Sequence, residues 1–236
     1  MKLQDGVYWY REKGVLDANT YVIKGEQTVL IDPGLGNYLG LLLKEMQEDG
    51  IAPKEVDVIA ITHLHPDHCD ATAALKDVSG AKVAVHSSQW EYFDMILEEA
   101  SRVLGIEVKK FEVDFMFDDS LEHTELRIQH TPGHSPESIC FYAVEKKTLI
   151  SGDLVFDKGI GRTDLPFGNT EDLISSINTI SALDTELLLP GHGAILKGQS
   201  NVKTNYDFIR EHYLQWIQEN KLLTQINAEE IKSRGF

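Results

Sequence analysis

The segment THLHPDHC, residues 62–69, contains three histidines and an aspartate within six positions. Imidazole and carboxylate groups bind transition metals and carry protons. Burying four such groups without a metal or complete hydrogen bonding is costly. In an extended backbone His63 and His65 point to the same side, whereas Asp67 and His68 lie past the turn. One loop could therefore provide ligands to two neighbouring metals.

Three further segments place a histidine or an aspartate directly after a predicted strand. They are HTPGHS with His134, SGD with Asp153, and PGHG with His192. Each residue alone is more often an ordinary polar side chain near a strand end. Rigid strands nevertheless present functional residues through the loops that follow them. We therefore expect the sheet to bring these residues to the THLHPDHC loop.

The elements that must position these loops begin with strands. VYWY, TYVIKG and TVLID are short, rich in β-branched and aromatic residues, and separated by turn formers. YLGLLLKEMQEDG has helical spacing and ends at Gly50. EVDVIAIT is an apolar run typical of a buried strand. Residues 66–78 are predicted to be helical, with Pro66 in the first turn.

The second part of the chain repeats this mixture of strands and helices. The strands are AKVAVH, KKFEVDFMF, TELRIQHT, the hairpin SICFYAVEKKTLISGD, and TELLLP. The helices are SSQWEYFDMILEEASRVLG, with a serine cap, TEDLISSINTISAL, and an amphipathic tail over residues 201–220. Two sheets between helix layers fit this order. We predict a domain over residues 1–200 and a C-terminal helical extension, residues 201–236, packed on it.

Composition narrows the function classes. The chain has 236 residues and a formal net charge of -16, so long nucleic acids are poor partners. No apolar run approaches the roughly 20 residues that span a bilayer. The N-terminal segment lacks the apolar core of an export signal. Cys69 and Cys140 are too few for a disulfide framework and predict free thiols in the cytoplasm. The sequence predicts no particular oligomeric state.

The four segments together resemble the metallo-β-lactamase superfamily. Its pattern is HxHxDH, then a single histidine, a bridging aspartate and a last histidine, and this chain fills all seven positions in that order. The resemblance implies an α/β fold of the αββα sandwich type. It assigns one metal to His63, His65 and His134. It assigns the second to Asp67, His68 and His192, with Asp153 as the bridge.

The resemblance also implies the chemistry. Zinc fits these ligands best, and iron or manganese are alternatives. Two divalent metals would share a water and lower its pKa, so that the resulting hydroxide attacks an acyl carbonyl. Asp67 and Asp153 are the catalytic residues in this scheme.

The segment GDLVFDKGIGRTDLPFG resembles the loop that follows the bridging aspartate in glyoxalase II (hydroxyacylglutathione hydrolase). The GRTD sequence and the PGHG turn are similar to those of the shorter, single-domain members of this branch. The resemblance implies hydrolysis of a small acyl thioester. Arg162 would bind a carboxylate of the thiol carrier, because guanidinium pairs bidentately with carboxylates.

Other functions within the superfamily stay open at this point. A persulfide dioxygenase with a single ferrous iron also has the GRTD sequence. A lactonase is a further alternative. A nuclease is disfavoured by the acidic charge. A scaffold without catalysis is disfavoured as well, because it need not retain every ligand.

Overall fold

The computed structural model describes residues 1–215 and residue 217. Two β-sheets pack face to face in it. The first consists, in spatial order, of β1 Lys2–Gln4, β2 Val7–Tyr10, β3 Thr20–Lys24, β4 Thr28–Ile31, β5 Val58–Ala60, β6 Lys82–His86 and β7 Phe115–Phe117. Neighbouring strands run antiparallel from β1 to β4 and parallel from β4 to β7.

The second sheet carries the later strands. Its spatial order is β14 Leu196–Lys197, β13 Leu187–Pro190, β10 Thr148–Gly152, β9 Ile139–Ala143 and β8 Leu126–His130. The pairing of β10 with β13 is parallel, and the other pairings are antiparallel. A short ribbon follows β10, formed by β11 Val155–Phe156 and β12 Gly159–Ile160.

Helices cover the outer faces of both sheets. They are α1 Leu39–Glu48, α2 Pro66–Cys69, α3 Thr72–Ser79, α4 Ser87–Leu104, α5 Thr170–Ser181 and α6 Gln199–Ile209. A π-helical turn, Arg210–Leu214, continues α6. Its hydrogen bonds join residues five apart, a pattern rare in proteins.

The period-2 alternation of each strand explains the layered core, because successive side chains point to opposite faces. On β9, Ile139 and Phe141 pack between the two sheets, whereas Cys140 and Tyr142 pack against α5 and α6. Residues of β3, β4 and β5 alternate in the same way between the inter-sheet core and α1, α3 and α4. Strands buried on both faces read as continuous apolar runs. The predicted αββα sandwich is confirmed.

Two local predictions were wrong in detail. The helix predicted over residues 66–78 breaks after Cys69, because Asp70 accepts a hydrogen bond from Gly36 N (2.8 Å) and Ala71 N donates to Gly34 O (2.9 Å). Helix α4 is capped by His86 rather than by serine, since the imidazole Nδ1 accepts from Ser88 N at 3.1 Å. A tertiary contact ends the first helix, whereas a local contact of a histidine begins the second.

Helix α6 packs on the second sheet. Val202, Tyr206 and Ile209 are buried in the same apolar cluster as Leu188 of β13. Of the predicted C-terminal extension, residue 216 and residues 218–236 lie outside the described residues. The division of the chain at residue 200 stays a prediction.

Candidate metal centre

The four predicted loops meet at one edge of the sandwich. The loop after β5 carries residues 63–68, and the loops after β8, β10 and β13 carry His134, Asp153 and His192. Strands β8, β10 and β13 run in the same direction, so their carboxyl ends lie at the same edge of the second sheet. Ile139 N donates to Thr62 O at 2.9 Å and joins the two sheets beside the first loop.

The structure brings all seven predicted residues together in two adjoining groups. In the first group, His65 Nδ1 lies 3.1 Å from His63 Nε2 and 3.0 Å from His134 Nε2. In the second, His192 Nε2 lies 3.2 Å from Asp67 Oδ2 and 3.4 Å from His68 Nε2. Ligand atoms within each group lie no more than 4.8 Å apart.

The Asp153 carboxylate lies between the groups, as the bridging role requires. Its Oδ2 is 3.6 Å from His134 Nε2 and 3.4 Å from His192 Nε2. Its Oδ1 is 3.3 Å from His68 Nε2 but is buried without a well-formed hydrogen bond. Burying a carboxylate oxygen that lacks a hydrogen-bond partner costs free energy unless a cation contacts the oxygen.

The imidazole rings are oriented so that their lone pairs face the interior of the cluster. In four of them Nδ1 points outward to an oxygen that can accept its proton, which leaves Nε2 as the acceptor nitrogen. These outward pairs are His63 with Thr62 Oγ1 (3.1 Å), His68 with Asp32 Oδ2 (2.9 Å), His134 with Arg162 O (2.8 Å) and His192 with Asp17 O (3.0 Å). Converging lone pairs repel each other unless a cation lies between them. This donor set fits divalent metals.

The pKa values of the histidines shift in opposite directions on the two sides of the cluster. Burial lowers the pKa of His65 to about 3, and a neighbouring histidine acts in the same direction. Burial also opposes a charge on His68, but Asp153, Asp67 and a further aspartate outweigh it and raise the pKa to about 10. Asp153 and Asp67 likewise overcome burial and raise the pKa of His192 to about 12. The carboxylate half therefore attracts positive charge, which bound metals would supply.

Sequence reasoning assigned Asp32, the last residue of the TVLID segment, no role at the centre. Its carboxylate is fully buried and accepts hydrogen bonds from Thr62 N (2.7 Å), Thr62 Oγ1 (2.7 Å) and His68 Nδ1 (2.9 Å). Its φ of 55° lies in the left-handed region, where few residues other than glycine, asparagine and aspartate are found. Asp32 thus orients one predicted ligand and anchors the loop that carries three others. Its position at the end of β4, by the strand-end argument used for the ligands, could have indicated this role.

The turn that carries His192 is fixed by residues near the N-terminus. Glu12 Oε2 lies 3.3 Å from both His192 Nδ1 and Gly193 N. Asn19 Nδ2 donates to Pro190 O (3.0 Å) and Gly193 O (3.1 Å). No local sequence pattern indicated these contacts.

Close packing explains one glycine of this turn. A Cβ atom on Gly191 would lie 2.2 Å from Asp153 Oδ1 and 2.7 Å from His68 Cε1, which is closer than real contacts allow. Only glycine lets the backbone pass this close to the cluster.

A cleft of about 650 Å³ opens above the cluster. This volume is typical of small-molecule sites. His65, Asp67, His134, Asp153 and His192 line its floor.

Arg162 lies on the wall of the cleft, as predicted for a substrate contact. Its guanidinium already holds Asp164, with Nε–Oδ1 and Nη2–Oδ2 distances of 2.7 Å and 2.8 Å. Its carbonyl orients His134. A substrate contact by the guanidinium stays a prediction.

The sequence matches the family model of the metallo-beta-lactamase superfamily over residues 14–192. The chain belongs to this superfamily. The match includes the loops that carry all seven residues of the cluster.

Relatives and solved structures agree with this membership. The probable metallo-hydrolase YqgX of Bacillus subtilis is 33% identical over 204 residues, covering 82% of this chain and 92% of the relative. The hydroxyacylglutathione hydrolase GloC of Haemophilus influenzae is 33% identical and covers 72% and 81%. The structure of TTHA1623 in a di-iron-bound form has a TM-score of 0.70 and 29% identity, covering 82% of this chain and 96% of that one.

Among residues 1–215 and 217, no helix is long and apolar enough to span a bilayer. The cytoplasmic location stays a prediction.

Proposed function

We propose that this protein is a metal-dependent hydrolase of acyl thioesters. The observation that carries the proposal is the composition of the cleft floor. Ionisable groups converge there, and no serine, threonine, cysteine or lysine is among the described residues that line the cleft. Cys69 and Cys140 are fully buried, and burial raises the pKa of both thiols. Water is therefore the nucleophile that fits this site.

We assign His63, His65 and His134 to one metal and Asp67, His68 and His192 to a second, with Asp153 between them. Divalent metals held there would activate water and polarise the carbonyl of the substrate. Zinc suits this donor set, and iron suits it nearly as well. The di-iron form of TTHA1623 keeps iron as an alternative.

The protein's own groups have distinct tasks in this proposal. Asp67 lies on the floor of the cleft, where its carboxylate can accept the proton of the attacking water. Asp153 fixes the spacing of the two ligand groups. The outward hydrogen bonds of the histidines hold each ring in place, so that little reorganisation is needed during the reaction.

Similarity to GloC supports a thioester as the substrate, because its name states hydroxyacylglutathione hydrolysis. The thioester substrate is part of this proposal. Membership of the superfamily does not depend on which bond is cleaved. Persulfide oxidation at a single iron is the competing function that the same experiment must exclude.

The test combines metal analysis with a panel of substrates. Protein purified without added metal should contain about two metals per chain. It should hydrolyse acyl thioesters faster than lactones or phosphodiesters, and it should not consume oxygen with glutathione persulfide. One iron per chain with persulfide-dependent oxygen uptake would establish the dioxygenase instead.

Matched histidine variants separate the site from the rest of the protein. His65→Ala should lose both metal and hydrolysis. His130→Ala is the control, because His130 is exposed and lies outside the cluster. Metal loss in His65→Ala with hydrolysis intact would show that the reaction does not depend on this centre.

A further inference from the structure

The upper walls of the cleft differ in character from its floor. The floor carries the ionisable cluster, whereas the walls are mostly hydrocarbon. The apolar residues that line them are Val15, Leu16, Leu104, Phe156, Ile160 and Leu165. Apolar walls above a polar floor suit a ligand whose reacting bond is polar and whose remaining groups are not.

Two tight turns at the mouth of the cleft have the same unusual construction. In residues 14–17, Asp17 N donates to Gly14 O at 3.2 Å, and the third residue, Leu16, has a φ of 64°. In residues 165–168, Gly168 N donates to Leu165 O at 3.0 Å, and the third residue, Phe167, has a φ of 67°. Glycine or asparagine normally occupies such a position, because larger side chains strain the backbone there.

Core packing does not explain these two bulky residues. Leu16 is 47% exposed and Phe167 is 46% exposed. Leu16 lines the cleft itself. Phe167 lines a narrow crevice beside His65 together with Leu104 and Leu165, both of which also line the cleft. The strain therefore places two apolar side chains at the entrance to the site, where a ligand can cover them.

The charges on the walls disfavour an anionic ligand. Glu12 contributes a carboxylate, whereas the Asp17 carboxylate is buried and accepts from Lys13 N and Leu35 N. Arg162 is the permanently positive residue among the described lining residues. Asp164 accepts from its Nε and Nη2, so one edge of the guanidinium is occupied and its charge is paired. A ligand carboxylate that paired with the remaining N–H groups would share the guanidinium charge with the Asp164 carboxylate, which weakens its attraction.

We propose that the thioester carries an apolar acyl group on a small, uncharged thiol, and that Leu16 and Phe167 contact its hydrocarbon part. This inference rests on the proposed function and specifies the substrate class of the same site. It implies that glutathione, with its two carboxylates, is a poor carrier here.

Two thioethers that cannot be hydrolysed test the cleft directly. S-hexyl-N-acetylcysteamine and S-hexylglutathione share the hexyl group and differ in the charge of the carrier. Calorimetry with the metal-loaded protein should give at least about tenfold tighter binding for the uncharged compound, because like-charge contacts penalise the other. Equal or tighter binding of S-hexylglutathione would overturn the inference.

Two variants examine the strained turns. Leu16→Asn and Phe167→Asn should each weaken S-hexyl-N-acetylcysteamine binding by about tenfold, because apolar contact area is lost. Their Tm should be unchanged or higher, because asparagine tolerates the left-handed backbone. Leu41→Asn is the control, since Leu41 is 52% exposed on α1 and lies outside the cleft. Unchanged binding by both cleft variants would refute the contact.

A third variant tests the arginine. Asp164→Asn removes the negative charge that is paired with Arg162, so the affinity for S-hexylglutathione should rise severalfold and the preference between the two thioethers should shrink. An unchanged preference would show that the Asp164 pairing does not set it, and would count against the inference.

Kinetics with the matching thioesters keep this inference distinct from the proposed function. If neither S-hexanoyl-N-acetylcysteamine nor S-lactoylglutathione is hydrolysed, the proposed function fails, and calorimetry still decides the ligand preference. If S-lactoylglutathione has the higher kcat/KM, thioester hydrolysis stands and the apolar, uncharged substrate class is wrong.

Discussion

Replacing Asp32 by asparagine would test whether the centre depends on its outer hydrogen bonds. The substitution keeps the size of the side chain, and asparagine tolerates the φ of 55° found at this position. The amide oxygen can still accept from Thr62 N. The charge is lost, however, and the amide nitrogen replaces the oxygen that faces His68 Nδ1 and Thr62 Oγ1. The new amide N–H group would then face the N–H of His68 and the hydroxyl of Thr62, so that three donors meet where an acceptor is needed.

The magnitude follows from the bond that is broken. A hydrogen bond to a buried charged group contributes about 1.5–3 kcal/mol. Since each 1.4 kcal/mol is about a factor of ten, Asp32→Asn should weaken metal binding about 10- to 100-fold. The loss should fall mainly on the metal assigned to His68, because that ring loses its orientation. The free energy of unfolding of the metal-free protein should also decrease, because the loop at residue 62 loses an anchor.

Competition with a chromophoric chelator measures the metal affinity of both proteins without any substrate. Asp57→Asn is the matched control, because the Asp57 carboxylate also accepts a backbone N–H, from Thr28 at 2.8 Å, but lies outside the cluster. If Asp32→Asn retains metal as tightly as Asp57→Asn, the orienting role of this carboxylate is wrong.

Three further substitutions examine other parts of the structure. Gly191→Ala should abolish metal binding, measured by metal analysis, because its Cβ would lie 2.2 Å from Asp153 Oδ1. Glu12→Gln should weaken metal binding up to about tenfold in the chelator assay, because a partly buried contact to His192 Nδ1 is weakened, and Asp17 O also contacts this nitrogen. Burial raises the pKa of Asp114, but hydrogen bonds from a lysine of α3 and a backbone N–H of β6 outweigh it and hold the pKa below 3.8. Asp114→Asn should therefore lower the free energy of unfolding by up to about 1 kcal/mol at neutral pH. Because the pKa is depressed in the folded state, this difference should vanish as the pH falls below 3.8, in denaturant titrations at several pH values.

Each of these substitutions has a control in the chain. Gly193→Ala meets open space at a φ of 75°, so it should cost about 1 kcal/mol of stability and leave metal binding intact. Glu55→Gln removes an exposed carboxylate remote from the cluster. Asp77→Asn removes an exposed partner of Lys109 and should show no pH-dependent difference. Tight metal binding by Gly191→Ala, or a pH-independent effect of Asp114→Asn, would contradict the respective explanation.

The sequence predicted the layered fold and the residues of the cluster, because both leave local traces. Continuous apolar runs report strands buried on both faces, and the predicted ligands lie in the loops that follow strands. Their supporting residues leave no such trace. Glu12 and His192 are separated by 180 positions, and their contact depends on how the two sheets stack.

The broken helix at residue 70 illustrates the same limit. Helical spacing continues through this position, but the Asp70 carboxylate binds Gly36 N, 34 residues earlier. Tertiary hydrogen bonds of this kind override local propensity.

The Arg162–Asp164 pair is an opposite case, because it is local in sequence. Its geometry decides whether the guanidinium is available, and residue types alone do not reveal it.

The contacts between Asn19 and the turn at residues 190–193 also constrain the order of folding. Asn19 Nδ2 and Pro190 O are 171 positions apart. Chain segments this distant meet only after large loops have closed, and topologies rich in such pairings fold slowly. We expect the edge that carries His192 to assemble late. During synthesis His63, His65 and His68 would emerge early. The cluster could not be completed before residue 193 had left the ribosome.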